Sequence, residues 1–487
     1  MYQSFIGLEV HIHLLTKSKV FCSCKSSFGD EPNTNVCPVC MGYPGVLPRL
    51  SREALRMGCI VARALNCTIP KQTWFERKQY FYPDMTKNYQ ISQFASPLGQ
   101  RGYLDIEGRG IKKRVRIHEC HLEEDAGKMI HSGTVSLLDY NRAGVPLLEI
   151  VTEPDMETGE EAELFIQQLR RMLRYLEVCD GNMEEGSLRA DANVSINLPG
   201  KGLGRKVEIK NLNSSRFVKL GLTYEIARQS ALLDAGKTVI QETRLWNENR
   251  DETAPMRSKE NAHDYRYFPE PDLPIFEPDS AFLESLTLGE LPAARLARFI
   301  AEYGLTYEQA DLITEEKQCA DYFEKAVSAA HPLEKTTAAP LVAQWILSDL
   351  KHLLAQESLE LNQINQGRLR AERLGSIVAL IAQGTVSQKS AKQIIEHIRK
   401  EDRDPRAIIR DYGLEQISDL GQIDAAIEQV IAAEQATLAE LRRTENDKRK
   451  RNLKAFLVGR VLAQTEGRAD PKIVTARLNI HLTEGSE

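Results

Sequence analysis

Proline and glycine are unevenly distributed along this chain, and their distribution limits the folds available to it. The first 290 residues contain 15 of the 20 prolines and 21 of the 30 glycines. Both residues interrupt helices, and the same region has short runs of alternating apolar and polar residues. Beyond it, apolar residues recur at helical spacing, as in Val342, Ile346 and Leu350 and again in Ile423, Ile427 and Val430. The sequence therefore predicts an α+β protein.

The length of 487 residues exceeds what one hydrophobic core organises, so more than one domain is expected. Around Arg403-Asp404-Pro405 a charged segment separates two groups of helical patterns and is a candidate linker. We predict an antiparallel-sheet domain over residues 1–292, an all-α domain over 293–405 and an all-α tail over 406–487.

Composition narrows the cellular setting and the class of partner. Hydrophobic content of 42% and charged content of 27% are ordinary for a globular protein. No apolar run approaches the roughly 18 residues that span a bilayer, and the start lacks a signal-peptide pattern, so we expect a cytoplasmic protein. A net charge of −6 argues against indiscriminate nucleic-acid binding. One cluster of basic residues stands out near the end of the chain, centred on Lys448, Arg449, Lys450 and Arg451. It is either a solvated helix face or an RNA contact.

Four of the nine cysteines form two close pairs. A short loop separates the pair Cys22 and Cys24 from the pair Cys37 and Cys40. This is the spacing of a tetrahedral thiolate zinc site. Four protein ligands leave no open position for water or substrate, so the pattern predicts a structural Zn²⁺. The alternative is a redox pairing of the same thiols.

Acidic residues and histidines suggest a second metal site. Residues 6–14 alternate so that Glu9, His11 and His13 share one face of a predicted strand. Further acids occur at Glu123-Glu124-Asp125 and at Glu149. Oxygen ligands with an imidazole suit Mg²⁺ or Mn²⁺ better than zinc, and Mg²⁺ in turn suits a nucleotide substrate. The alternative is a strand whose polar face meets water.

Other polar residues mark candidate substrate contacts. Two more alternating strands, at 188–196 and 206–210, carry Arg189, Asp191 and Lys210 on their polar faces. Lys78 and Lys87 flank the aromatic block that contains Tyr82, a combination that can contact phosphate and stack on an unpaired base. A solvent-facing sheet and ordinary core packing are the alternatives.

Several ordered blocks together resemble one protein family. The most distinctive is Leu138-Asp139-Tyr140-Asn141-Arg142-Ala143-Gly144-Val145-Pro146-Leu147-Leu148-Glu149-Ile150. The others are Gly7-Leu8-Glu9-Val10-His11, Tyr80-Phe81-Tyr82-Pro83-Asp84, Tyr89-Gln90-Ile91-Ser92-Gln93, His121 to Lys128, Met183 to Arg189, Asp264 to Asp272 and Phe456-Leu457-Val458-Gly459. The set resembles the B subunit of the bacterial and organellar Asp/Glu-tRNA amidotransferase.

The resemblance implies an activity. The family's B subunit uses ATP to activate the side-chain carboxylate of misacylated Glu-tRNA(Gln) or Asp-tRNA(Asn), and an A subunit supplies ammonia from glutamine while a small C subunit holds the pair together. By the same resemblance, Glu9, His11, Glu124 and Glu149 match the residues of the family's Mg²⁺ site. The first domain would be a catalytic cradle similar to the glutamine-synthetase sheet, and the helical tail would hold tRNA.

Missing motifs agree with that division of labour. The chain has no Gly-x-x-x-x-Gly-Lys-Ser/Thr loop for ATP and no nucleophile segment typical of an amidase. Two other functions stay open at this point: a non-catalytic tRNA-binding scaffold, and a carboxylate-metal hydrolase acting on phosphate esters.

Overall fold

The computed structural model describes residues 2–256, 265–417 and 419–484, so Asp264 of the last aromatic block lies outside the described residues. The chain forms two compact units, Met1–Pro292 and Ala293–Glu487. The α+β prediction is confirmed, because sheets occupy the first unit and helices the second.

In its described residues the first unit contains 13 strands and four helices. The strands are β1 (Gln3–His13), β2 (Glu76–Gln79), β3 (Tyr89–Ser92), β4 (Gly99–Gly108), β5 (Ile111–Glu124), β6 (Lys128–Ser132), β7 (Val135–Asp139), β8 (Pro146–Thr152), β9 (Leu188–Asn197), β10 (Val207–Lys210), β11 (Glu242–Asn247), β12 (Glu252–Pro255) and β13 (Phe268–Pro269). The helices are α1 (Arg52–Ala64), α2 (Gly159–Tyr175), α3 (Ser215–Asp234) and α4 (Ser280–Ser285).

Eight strands form the main sheet, in the order β12-β11-β10-β9-β1-β8-β5-β4. Neighbouring strands run antiparallel except β10 and β11, which are parallel. Helix α3 connects these two strands, and such a crossover returns the chain to the end where it started. The sheet is therefore mixed, and the prediction of an antiparallel sheet is corrected at this one pair.

The two faces of the main sheet differ because its central strands alternate. On β1, Ile6, Leu8, Val10 and Ile12 are fully buried in the core that α1, α2 and α3 cover. Burying each such side chain contributes about 1.5–3 kcal/mol. A one-residue slip would exchange them for the polar residues of the strand, so the register of β1 is strongly specified. The opposite face is polar.

Two smaller sheets complete the first unit. Strands β13, β2 and β3 form a three-stranded antiparallel sheet, and β6 pairs with β7 as a hairpin. In the sequence, the hairpin lies between the end of β5 and the start of β8. These two strands carry acidic residues to the polar face.

The second unit is helical throughout its described residues. Its helices are α5 (Pro292–Tyr303), α6 (Tyr307–Ile313), α7 (Lys317–Ala329), α8 (Lys335–Trp345), α9 (Lys351–Gln356), α10 (Ala371–Ala382), α11 (Gln388–Lys400), α12 (Pro405–Tyr412), α13 (Leu420–Ala433), α14 (Gln435–Arg443), α15 (Asp447–Gln464) and α16 (Pro471–Glu484), with a π-helical turn at Ile346–Leu350 and a 3-10 segment at Leu361–Gln366. None of the helices in the described part combines the length and apolarity needed to cross a membrane.

Two hydrophobic clusters organise this unit. One extends from Phe299 to Leu414, and the other from Ile423 to Leu478. Helix α12 belongs to the first cluster through Ile408 and Ile409. The change of cluster therefore falls after α12, and the domain boundary near residue 405 stays a prediction.

Candidate catalytic and metal-binding site

Cross-strand pairing places three ionisable side chains in a row on the polar face of the main sheet. His11 on β1 is opposite Glu149 on β8, and Glu149 is opposite His121 on β5. Residues directly opposite each other point to the same face. The Nε2 atoms of His11 and His121 lie 3.2 and 3.1 Å from Glu149 Oε2. The register thus makes Glu149 the centre of this group.

Glu123 joins the row from the same strand as His121. It lies two residues further along β5 and so points to the same face. Its Oε1 lies 3.9 Å from His11 Nε2, and its Oε2 accepts a 3.1 Å hydrogen bond from Ser92 Oγ. Donor atoms of His11, Glu123 and Glu149, here called the first triad, lie within 4.8 Å of one another. This donor set fits Mg²⁺ or Mn²⁺.

A second acidic group lies beside the first. Glu9 on β1 is opposite Asp191 on β9, and Glu208 comes from the neighbouring strand β10. Donor oxygens of these three residues, the second triad, also lie within 4.8 Å of one another. Asn193 Nδ2 donates to Glu9 at 2.8 Å, while Lys210 Nζ lies 2.7 Å from Asp191 and 3.0 Å from Glu208. An all-oxygen set suits a hard cation.

The surroundings shift the pKa values of Glu149 and Glu9 in opposite directions. Burial alone would raise the pKa of Glu149, but hydrogen bonds from His11 and His121 hold it well below its usual range. Burial, followed by the charge of Glu149, raises the pKa of Glu9. The closely spaced carboxyl groups thus repel one another, and a bound cation would relieve this repulsion.

Glu124, predicted as a ligand with Glu9, His11 and Glu149, is not brought into either triad. Neighbouring residues of a strand point to opposite sides, so Glu124 turns away from the face that holds Glu123. Its buried carboxylate accepts from the backbone N–H of Ile91 at 2.9 Å and lies 2.7 Å from Lys87 Nζ. Glu124 therefore stands apart from both triads in this structure, and its role as a metal ligand stays a prediction.

Some of the residues predicted to contact substrate also lie on the polar face, and others do not. Asp191 and Lys210 lie on the polar face within the second triad, whereas Lys87 is paired with Glu124. The Lys78 ammonium group lies over the ring of Tyr265, 4.8 Å from its centroid. Burial lowers the pKa of Lys78, but the charges of Glu123 and other groups outweigh this effect and raise the pKa. The ring of Tyr82 is 45% exposed, so it is available to a ligand.

Arg189 belongs to a cluster that the sequence did not reveal. Its guanidinium donates to the buried Asp125 carboxylate at 2.9 Å, and His13 Nε2 lies 2.7 Å from the same oxygen. Arg142 Nε is 3.3 Å away from that oxygen. Burial would raise the pKa of Asp125, but the charge of Arg189, the hydrogen bond with His13 and the charge of Arg142 hold it low. The cluster fixes two partly exposed guanidinium groups, and Arg189 is opposite His11 of the first triad in the sheet.

The four predicted zinc ligands converge. Sulfur atoms of Cys22, Cys24, Cys37 and Cys40 lie within 4.8 Å of one another, and those of Cys37 and Cys40 are 3.9 Å apart. Tetrahedral Zn–S bonds of about 2.3 Å require sulfur atoms about 3.8 Å apart, so the spacing fits. A hydrogen bond from Cys22, the backbone N–H of Cys37 and the charge of Lys19 lower the pKa of Cys40 to about 4.

The cysteine group and the segment around it pack against the loop that precedes β8. The buried Lys19 donates from Nζ to Tyr140 O at 3.2 Å, and Val20 N donates to Gly144 O at 2.9 Å. Gly144 has a φ of +85°, which permits this close approach. The loop that leads into the strand of Glu149 therefore contacts the cysteine group through Lys19, whose Nζ lies 3.6 Å from Cys40 Sγ.

Zinc content tests that interpretation. We expect one equivalent of Zn²⁺ per chain in reduced, freshly purified protein, and less than a tenth of that in Cys37→Ser/Cys40→Ser. Cys179→Ser, which changes a buried cysteine outside the group, is the matched control and should retain the metal. Elemental analysis makes the measurement, and an absence of zinc from the unmodified protein would contradict the assignment.

The basic segment of the tail lies at the start of α15. Lys448, Arg449, Lys450 and Arg451 occupy its first turn and a half, after the N-cap Asn446. Cations at a helix N-terminus oppose the helix dipole, and the pairing of Arg449 with Glu440 at 2.7 Å offsets this for one of the four. A polyanion contact would explain why charge is concentrated there.

Comparison with known proteins assigns the family. Residues 4–284 match the model of the GatB/GatE catalytic domain, and residues 321–482 match that of the GatB domain. The B subunit of the aspartyl/glutamyl-tRNA(Asn/Gln) amidotransferase of Carboxydothermus hydrogenoformans is 45% identical, with 99% of each chain covered. The proteins of the same name from Thermodesulfovibrio yellowstonii and Persephonella marina are 47% and 44% identical, over 97% of this chain and 98% of theirs. The chain therefore belongs to the GatB family of amidotransferase B subunits.

Proposed function

We propose that this chain uses ATP to phosphorylate the side-chain carboxylate of Glu-tRNA(Gln) or Asp-tRNA(Asn), which ammonia then converts to the amide of Gln-tRNA(Gln) or Asn-tRNA(Asn). The two adjacent triads on one sheet face are the observation that carries the proposal. The names of the similar proteins supply the substrate class. We assign the chain to the cytoplasm, where translation supplies such a substrate.

The chemistry requires activation because a carboxylate oxygen is a poor leaving group. Attack of the carboxylate oxygen on the γ-phosphorus forms a new O–P bond and breaks the bond to ADP. Ammonia then attacks the carbonyl carbon, loses a proton, and expels inorganic phosphate together with the former carboxylate oxygen. Positioning and charge neutralisation dominate such phosphoryl transfers, and the polar face supplies ionisable groups for both.

Mg²⁺ fits the donor sets of both triads. His11, Glu123 and Glu149 would hold one ion, and Glu9 with Asp191 would contribute to a second. A bound Mg²⁺ would neutralise charge on the phosphates during transfer. Around the triads, the chain's own cations orient anionic substrate groups, and Arg189 and Lys210 are placed to do so by the carboxylates that they contact.

Burial argues against a scaffold whose acidic residues merely meet water. Glu123 is 2% exposed and its neighbour Asp125 is 5% exposed. Burying a charged carboxylate is costly unless it is paired or bound to a metal. A protein that only bound tRNA would gain nothing from placing several such groups together on one face.

Ammonia must come from elsewhere in the assembly. The sequence carries no amidase-type nucleophile segment, so we assign glutamine hydrolysis to a partner A subunit, with a small C subunit completing a heterotrimer. The isolated chain should therefore show no glutaminase activity, yet ammonium salts should support slow amidation of tRNA-bound glutamate. Product analysis by chromatography of the deacylated amino acid makes the test, and glutamine hydrolysis by this chain alone would contradict it.

The tail would hold tRNA through phosphate contacts of the basic segment. Replacing Lys448, Arg449, Lys450 and Arg451 by Gln should lower the magnitude of the slope of log affinity against log salt by about 3, because each of the four lost phosphate contacts removes roughly 0.7–0.9 of a released counterion. Filter binding at several salt concentrations measures the slope. Lys335→Gln, at the first position of α8, is the control. A slope equal to that of the unmodified protein would make the segment a solvated helix face.

Reconstitution tests the whole proposal. The assembled A, B and C subunits should convert Glu-tRNA(Gln) to Gln-tRNA(Gln) with glutamine, and should consume one ATP for each amide formed. Omission of ATP should abolish conversion. Phosphate release from ATP without amide formation in the presence of all substrates would favour a hydrolase, and conversion without ATP would contradict the mechanism.

A further inference from the structure

A stacked aromatic pair lies at the edge of the small three-stranded sheet. The rings of Phe94 and Tyr267 have centroids 4.3 Å apart and planes inclined by only 9°. Phe94 is 59% exposed, whereas Tyr267 is partly buried. The pair thus presents a flat aromatic surface to solvent, supported from behind by a second ring.

The position of Phe94 is fixed by a buried carboxylate. Glu76 on β2 is 5% exposed and accepts the backbone N–H groups of Phe94 at 2.6 Å and Ala95 at 3.2 Å. The indole N–H of Trp74 donates to the same carboxylate at 3.2 Å. A buried charge with three donors holds the backbone rigidly, so the exposure of the ring belongs to the ordered structure and does not result from a loose loop.

This aromatic surface borders the first triad. Ser92, two residues before Phe94, donates to Glu123 at 3.1 Å. The Tyr267 hydroxyl is close enough to Lys78, Glu123 and His121 for their charges to act on its pKa, which burial raises. The Lys78 ammonium group and acidic residues of the site therefore lie near the Tyr267 ring.

A planar surface beside a cation selects a planar ligand that carries negative charge. Nucleic-acid bases stack on exposed aromatic rings, and the phosphates attached to them favour neighbouring ammonium groups. Both substrates of the proposed reaction contain such a base: ATP, and the terminal adenosine of the tRNA acceptor end. We propose that the Phe94–Tyr267 stack is the platform on which the adenine of one of these two substrates binds. This inference rests on the proposed function.

Fluorescence of 2-aminopurine, which stacking quenches, distinguishes the two sources in the assembled enzyme. One arm uses 2-aminopurine riboside triphosphate, and the other uses tRNA(Gln) with 2-aminopurine in place of the terminal adenine. Phe94→Leu should weaken binding of one probe about 5- to 100-fold and abolish its quenching, as expected for loss of one stacked base. Phe94→Trp should retain both. Phe28→Leu, which changes a phenylalanine that is 74% exposed in another loop, is the matched control.

The outcomes separate this inference from the proposed function. A loss confined to the triphosphate arm assigns the platform to ATP, and a loss confined to the tRNA arm assigns it to the acceptor end. Unchanged affinity and quenching of both probes in Phe94→Leu would overturn the platform. Amidation by the unmodified enzyme would still support the proposed function in that case. An equal loss in Phe28→Leu would overturn the platform too. Failure of the wild-type enzyme to bind or convert either substrate would instead refute the proposed function.

Discussion

Glu149→Gln should lower ATP-dependent amidation of tRNA-bound glutamate by about 10²–10³-fold, the scale expected when one preorganised electrostatic group is lost from an active site. The substitution keeps the size of the side chain but removes the charge to which His11 and His121 are both hydrogen-bonded. Single-turnover conversion of radiolabelled Glu-tRNA(Gln) measures the effect directly. Glutamine hydrolysis need not fall equally, since we assign it to a partner subunit.

A neighbouring carboxylate provides the control. Glu153 follows β8, pairs with the exposed His118 at 2.9 Å and belongs to neither triad. Glu153→Gln makes the same chemical change and should remain within a few-fold of the unmodified enzyme. Amidation by Glu149→Gln within that same few-fold range would defeat the assignment of the first triad.

The second triad should also be essential, with a smaller effect of each change. Glu9→Gln and Asp191→Asn are each expected to lower the rate of amidation about 10²-fold, because each removes one charge from a group that would bind a cation. Steady-state rates at saturating ATP and tRNA, with increasing Mg²⁺, make the measurement. Partial recovery at high Mg²⁺ is expected, since a weakened site fills at higher concentration.

The far edge of the same sheet supplies the control for this prediction. Glu252 on β12 pairs with the exposed Arg250 and lies in neither triad. Glu252→Gln should leave both the rate and its dependence on Mg²⁺ unchanged. Full activity of Glu9→Gln and Asp191→Asn at low Mg²⁺ would show that the second group of acids is not part of the reaction.

The sequence predicted what local periodicity determines. Alternation along residues 6–14 gave the strand and the common face of Glu9 and His11, which the structure confirms in β1. Spacing also predicted that Cys22, Cys24, Cys37 and Cys40 would meet. These features depend on residues close together in the chain, where backbone geometry leaves few choices.

Features that depend on strand pairing were beyond the sequence. An alternating strand has no intrinsic direction, so the parallel pairing of β10 with β11 could not be read from residues 206–210. The group of Glu149 with His121 requires the register between β5 and β8. One signal was present: Cys120 and Leu122 are apolar and alternate with His121 and Glu123, which assigns Glu123 to the polar face and Glu124 to the other side.

Isotope transfer from substrate to phosphate tests the central claim most directly. Glu-tRNA(Gln) labelled with ¹⁸O in both side-chain carboxylate oxygens is converted by the assembled enzyme with unlabelled ATP, and the released phosphate is analysed by mass spectrometry. Activation by phosphorylation predicts one ¹⁸O atom in each phosphate released with amide, because the carboxylate oxygen leaves on phosphorus. Phosphate without ¹⁸O, in a reaction that forms Gln-tRNA(Gln), would contradict the account.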